Sequence, residues 1–416
     1  MMENSLWNEI RQEIDKVPIV DTHEHLGKEL PIFRPDKKIK LNLMRFISYS
    51  YLYGDLVSSG MKPIALNRLA WEDMKPYLES VRTTVYYKYL IRALQDFYGL
   101  EGDQITDSNW ELISNRIAEK NENHVEWELQ VLDLMNIHRM ILEISENCVL
   151  KTDIVDDERL VQIINFEGLI MGGLSTAKKL LHRSVENFDE YLNALDIAFD
   201  MAVENGAVGV KSSVAYLRII SYDKVEKSEA QKIFNNGIRR ANPTELKKFQ
   251  DFMMHAVCEK CNEYKLPYEF HTGLHAGNFN TLGNSNPLLL ENLFMDYRKV
   301  NFVLFHGGYP YIHEVGVLAK YFPNVYLDAC WLSDISISAY KRALSEWLEI
   351  VPSNKIFAWG GDQMVIEHSY ASLLLAKDLI ADVIVNKIND GYFNKNLGVS
   401  VMKKILGQNA INFFKL

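Results

Sequence analysis

From residue 138 onward the chain repeats one unit: a short apolar run of strand length, then a stretch with helical spacing. Short branched or aromatic runs bounded by turn residues read as buried strands, and apolar residues three and four apart read as helix faces. The strand-like runs are 139–144, 160–167, 207–213, 267–273, 301–308, 324–330 and 355–362. Helical stretches at 185–205, 244–265, 287–298, 311–321 and 339–350 separate the later ones. Another run, 18–20, follows an amphipathic stretch at 6–16 and brings the count to eight strands. That is the arithmetic of an α/β fold of the (β/α)8 barrel type. A doubly wound open sheet is the alternative, but no Gly-x-Gly-x-x-Gly turn follows the first strand. Residues 41–134 show helical spacing almost throughout, so a helical insertion after strand one is expected to cover the barrel mouth. Within it, Asp107 or Ser108 is expected to cap a helix. Its aromatics (Tyr49, Tyr51, Tyr53, Trp71, Tyr77, Tyr86, Tyr87) are expected to pack mostly among the helices, with some roofing a pocket. One domain spanning 1–416 is expected.

The formal charge of −10 disfavours nucleic acid and anionic membranes as partners, since no basic surplus meets phosphates. No apolar run approaches the ~20 residues a bilayer requires. The polar, acidic opening implies no signal peptide. Cys148, Cys258, Cys261 and Cys330 are too few for a disulfide framework, so a reducing cytoplasm is expected. Cys258 and Cys261 have CxxC spacing inside a predicted helix; without a second pair they read as core thiols.

Barrel chemistry resides at the C-terminal ends of the strands. There stand His23 and His25 on strand one, Lys211 on strand four, His271 on five, His306 on six and Asp362 on eight. Strand side chains alternate faces, so His23 and His25 point together and Glu24 points away. Paired imidazoles at a strand end suit a divalent metal. Strands two, three and seven end differently, in Ser145, Glu167 and Asp328. His275, just past strand five, is a candidate for reaching substrate. The remaining histidines (124, 138, 182, 255, 313 and 368) read as structural or surface.

This ordered set resembles the amidohydrolase superfamily of metal-dependent hydrolases, and within it the amidohydrolase-related branch. Closer still is the amidohydrolase-like half of proteins fused to a glutamine-synthetase domain. The matching runs are 208–218, 271–273, 286–290, 305–310, 324–328 and 360–362, and no synthetase domain is expected in this sequence. Uronate isomerases are similar more distantly. The resemblance implies two divalent metal ions, with zinc suiting four histidines best. His23, His25 and Asp362 would hold the first, and His271 and His306 the second. Lys211, carboxylated by carbon dioxide, would bridge them. Asp362 would take the proton of a metal-activated water and pass it to the leaving group, with His306 and Lys211 as further catalytic residues. The alternative for Lys211 is a plain ammonium. The alternative for the protein is a mononuclear decarboxylase or uronate-isomerase-like enzyme, or a silent binding protein. The expected partner is a small molecule, with homo-oligomers open. Arg218, seven residues past Lys211, has the planar fork for a substrate carboxylate, and Tyr216 adds a hydrogen bond. Alternatively, Arg218 pairs with an acid in its own loop.

Overall fold

The branched runs form parallel strands because each is flanked by helices that cover its outer face, leaving no room for polar alternation. The computed structural model describes residues 2–416. Its strand segments are β1 (Ile19–Glu24), β2 (Ile137–Leu142), β3 (Leu160–Gln162), β4 (Ile164–Asn165), β5 (Val210–Ser212), β6 (Tyr268–Phe270), β7 (Phe302–Leu304), β8 (Val325–Asp328) and β9 (Ile356–Phe357). Parallel ladders join β1-β2-β3 and β4 through β9 in chain order. β3 and β4 are one stave interrupted at Ile163. The Ile163 amide donates to Leu142 (3.0 Å) and the Ile164 amide to Gly209 (3.1 Å), which carries the pairing across the break. Between the last stave and the first, two backbone bonds close the ring: Asp362 N–H to His23 (2.8 Å) and His25 N–H to Gln363 (3.1 Å). Eight staves make a (β/α)8 barrel.

The ladders are shorter than the apolar runs. The run 301–308 pairs only over Phe302–Leu304 and then turns through Phe305–Gly308, with His306 at φ 61°. Asp362 likewise lies beyond β9, at φ 55°. Such left-handed conformations are uncommon outside glycine and cluster at functional sites. At these stave ends the chain leaves the ladder and the side chains turn over the barrel mouth.

Val20, Ile141, Ile163, Val303, Phe305 and Phe357 fill the barrel interior, and Ala410 and Phe414 of the C-terminal helix pack onto them. Full burial of such side chains contributes about 1.5–3 kcal/mol each. The barrel is therefore a packed core with a polar layer at one end.

Between β1 and β2 lie six α-helices: Leu43–Ser48, Leu52–Ser58, Trp71–Val81, Val85–Tyr98, Trp110–Lys120 and His124–Met135. Two buried carboxyls tie them to their surroundings. Glu367, on the long helix Ile366–Asn389, accepts from Tyr98 Oη and from Trp127 Nε1 (2.8 Å). Glu128 accepts from the Phe33 amide (2.7 Å). The helix expected after Asp107 starts at Trp110 with Asn109 at its N-cap. Asp107 is drawn instead to Trp71 Nε1 (2.5 Å) and Lys75 (3.2 Å). Cys258 and Cys261 are fully buried in the helix Pro243–Tyr264. Among the described residues no helix is long and apolar enough to cross a membrane.

Candidate metal centre

His23 and His25 leave β1 side by side, their rings edge to face at 4.9 Å. Both aim Nε2 at one Asp362 carboxylate oxygen, at 3.7 and 3.1 Å. The three residues bring ligand atoms close enough to share an ion. Two buried acids that sequence reasoning did not single out lie beside the imidazoles. Glu269 Oε2 is 3.7 Å from His23 Nδ1, and Glu143 Oε2 is 3.5 Å from His25 Nδ1. Glu143 Oε2 is also 3.7 Å from His23 Nε2, so it lies between the two rings, and none of these approaches is a hydrogen bond. The signal was present: Glu269 lies two residues before His271, and Glu143 two past Ile141, so each shares an inward face.

Glu24 points the other way, as the alternation requires. Its carboxylate accepts from the Gln363 amide (2.6 Å), and Asp21 accepts from the Gly361 amide (3.1 Å). A Cβ at Gly361 would lie 1.8 Å from Glu24 Oε1, so only glycine lets the loop carrying Asp362 pack here.

His271 and His306 come together on the opposite side. His306 Nδ1 is 3.2 Å from the Cys330 carbonyl, and His271 Nε2 is 2.9 Å from the Leu274 carbonyl. Carbonyls only accept, so these nitrogens carry the protons. The remaining pair, His306 Nε2 and His271 Nδ1, face each other at 3.0 Å. Burial keeps both rings neutral: it pushes His306 down to about 4 and His271 well below the usual range, where neighbouring His306 and Lys211 add to the effect. Two lone pairs then meet, which is unfavourable unless they share a cation. The donor set thus fits a second ion. The buried Cys330 thiol, which no expectation included, also lies in ligand range of His306 and Asp362.

Lys211 is 2% exposed, its Nζ 3.5 Å from the Phe305 ring centroid and without a hydrogen-bond partner among the described residues. Both ring nitrogens of His23 and Nδ1 of His25 are likewise unsatisfied. Native proteins rarely orphan so many buried polar atoms in one place. The cluster is arranged for something that binds there.

Burial alone would raise the Asp362 carboxyl. The hydrogen bond and charge of His25, with His306 and Lys211, bring it instead to about 2. Tyr51 donates to Asp362 Oδ2 at 2.8 Å and stacks on Trp331 at 4.3 Å. Of the helical block's aromatics, it alone appears among the residues lining the cavity over these groups. That cavity of about 320 Å³ is bordered by His25, Lys28, Tyr51, Glu167, Lys211 and Tyr216, with His271, His306 and Asp362 at its base.

The substrate residues divide. Tyr216 lines the cavity, with its hydroxyl accepting from the Ala276 amide (2.9 Å). His275 packs behind Tyr216 and His271, at 4.7 and 5.3 Å between ring centroids, rather than bordering the space. Arg218 is a correction, since it faces away from the cavity. Its fork bonds Asp251 (2.7 Å) and the Ser221 carbonyl (2.6 Å), and Asp251 is itself buried. Arg218→Met should therefore cost about 2–3 kcal/mol of stability in urea unfolding, because it strips a buried carboxylate of a charged partner. It should leave KM unchanged. A raised KM at full stability would return Arg218 to substrate binding.

Residues 193–416 match the amidohydrolase family model Amidohydro_2, more than half of the chain. This chain belongs to the amidohydrolase family. Protein fluG of Emericella nidulans is 27% identical over 245 residues, covering 56% of this chain; the match spans only 28% of that protein's length. Uronate isomerase from Thermotoga maritima superposes with a TM-score of 0.82 at 14% identity, covering 99% of this chain and 97% of that one. A Lactobacillus casei protein described as a metal-dependent hydrolase gives 0.70 at 18%, covering 98% and 97%. At these identities the structural likenesses establish the barrel fold. The family membership makes the chain an enzyme of amidohydrolase type, a metal-dependent hydrolase in general terms.

Proposed function

We propose that this amidohydrolase cleaves a C–N or C–O bond, as in an amide or lactone, of a small molecule at a binuclear divalent-metal centre. The observation that carries the reading is the facing His306–His271 nitrogen pair beside the His23–His25–Asp362 set, with His306 in ligand range of Asp362. When bound, two divalent cations, for which zinc suits these donors best, activate water and polarise the scissile bond. His23, His25 and Asp362 would hold one, His271 and His306 the other.

Lys211 completes the set as a carbamate. Its neutral amine forms a bond to the carbon of carbon dioxide and releases a proton, giving a carboxylate on a long arm. An ammonium without a partner would be costly at this depth. Asp362, kept ionised and steadied by Tyr51, takes the proton of the attacking water. With Arg218 turned away, Lys28 is the cation at the mouth available to a substrate carboxylate; its side chain is 44% exposed and its Nζ lies 3.6 Å from Glu143.

Elemental analysis of the purified protein should find about two divalent ions per chain, together with the added mass of one carbon dioxide in native mass spectrometry. Replacing His23 and His25 together by alanine should remove one ion and most turnover. A saturated wild type holding a single ion would instead favour a mononuclear decarboxylase or isomerase using His23, His25 and Asp362. The Tyr51 hydroxyl on Asp362 suits that second reading, since it offers a proton donor beside the carboxylate.

A further inference from the structure

Two carboxyls that line the cavity have no place in the ligand set, the exposed Glu29 and the more enclosed Glu167. Glu167 borders the space directly after β4, three staves round the ring from Asp362. It is held by a relay across neighbouring stave ends. Glu143 accepts from Asn165 Nδ2 (3.1 Å), Asn165 Oδ1 accepts from the Glu167 amide (2.7 Å), and Glu167 Oε1 accepts from the Ser213 amide. One carboxyl oxygen is thus fixed by backbone, and the other is left for the cavity. A catalytic acid needs this combination of rigid placement and access to bound substrate.

We propose that Glu167 is the acid that protonates the leaving group, from a part of the wall remote from Asp362. The inference rests on the hydrolase reading above. As the carbonyl–nitrogen or carbonyl–oxygen bond breaks, its electron pair leaves with the heteroatom. The Glu167 proton moves to that atom, and Glu167 becomes a carboxylate. Water supplies the new oxygen on the carbonyl carbon and gives one proton to Asp362, which returns through solvent to Glu167. The sum is substrate plus water giving acid plus amine or alcohol.

The surroundings keep a proton available near neutrality. Burial, then the negative Glu143, push Glu167 up to about 7, against the Ser213 amide and the positive Lys28. Tyr216, Tyr222, Tyr268 and Cys148 also lie close enough to interact with it. None of these four is charged near neutral pH, because burial raises each of them. Glu143 and Lys28 are therefore the charges that set its proton affinity. Glu167 stands outside the ligand set, so the base and the acid fall on separate carboxyls of one cavity.

The test compares wild type with Glu167→Gln in two ways. Across esters of one small acid with increasingly basic alcohols, the variant should lose ~10²-fold in kcat for alkyl alcohols and almost nothing for nitrophenol. A loss that is equal across the series, or absent, overturns the proposal. The second measurement needs no turnover. The infrared difference between the two proteins should show a protonated-carboxyl stretch at about pH 6 that vanishes by about pH 9. Its absence overturns the proposal even for an enzyme without measurable activity. Metal content should be equal in both proteins. A wild type that holds two ions yet cleaves no ester or amide removes the hydrolase reading instead.

Discussion

Asp362→Asn should lower kcat by ~10²-fold or more while changing KM far less, because the amide keeps an oxygen for the metal but cannot take a proton. Steady-state kinetics with ion counts on the same preparation would check it. The environment explains why the effect should be large. The carboxylate is fully enclosed, which disfavours its charged form, yet the hydrogen bond and charge of His25, with His306 beside it, favour the ionised state. Tyr51 fixes its outer oxygen, and the Asp362 amide is tied to His23. An asparagine in the same frame preserves the geometry and removes only the basicity. A kcat within a few-fold of wild type would move the base elsewhere, with His306 the next residue to replace.

Lys211→Ala should lose at least one ion and nearly all turnover. Short carboxylic acids or bicarbonate should restore part of both by occupying the space of the carbamate. The alanine leaves a pocket beneath the cavity, walled by Phe305 and next to the register partner Glu269. If Lys211 were a plain ammonium, its removal would leave Glu269 and the other buried acids without their cation. The variant would then lose stability but keep its ions. Ion counting and thermal unfolding on one sample separate the two outcomes.

The sequence announced the barrel because its cause is local: short branched runs and helical spacing recur in strict order. It announced His23, His25, His271, His306 and Asp362 because barrel architecture places function at strand ends, and these residue types are conspicuous there. Glu143 and Glu269 stood in predicted strands with the right parity and were passed over as ordinary strand acids. Tyr51 carried no such signal. It reaches Asp362, 311 positions away, from the N-cap of the helix Leu52–Ser58, and only the packing of the helical block brings it there. Arg218 misled for the complementary reason. Proximity in sequence to Lys211 says nothing about direction, and the buried Asp251 on the helix Pro243–Tyr264 claims its fork.

The seam of the barrel lies where the first metal set is assembled. No ladder joins β9 to β1 among the described residues; two backbone bonds do so, and each involves a ligand-bearing residue. His23 and His25 belong to the opening of the chain, while Asp362 arrives near its end. On the function proposed above, an ion gripping all three would act as a rivet through that seam, fastening the two edges of a rolled sheet. Closing so long a loop is slow, because its entropy is spent before the contact forms. The rivet hole needs both ends of the chain in place, so on that reading metal loading and closure of the barrel would be coupled.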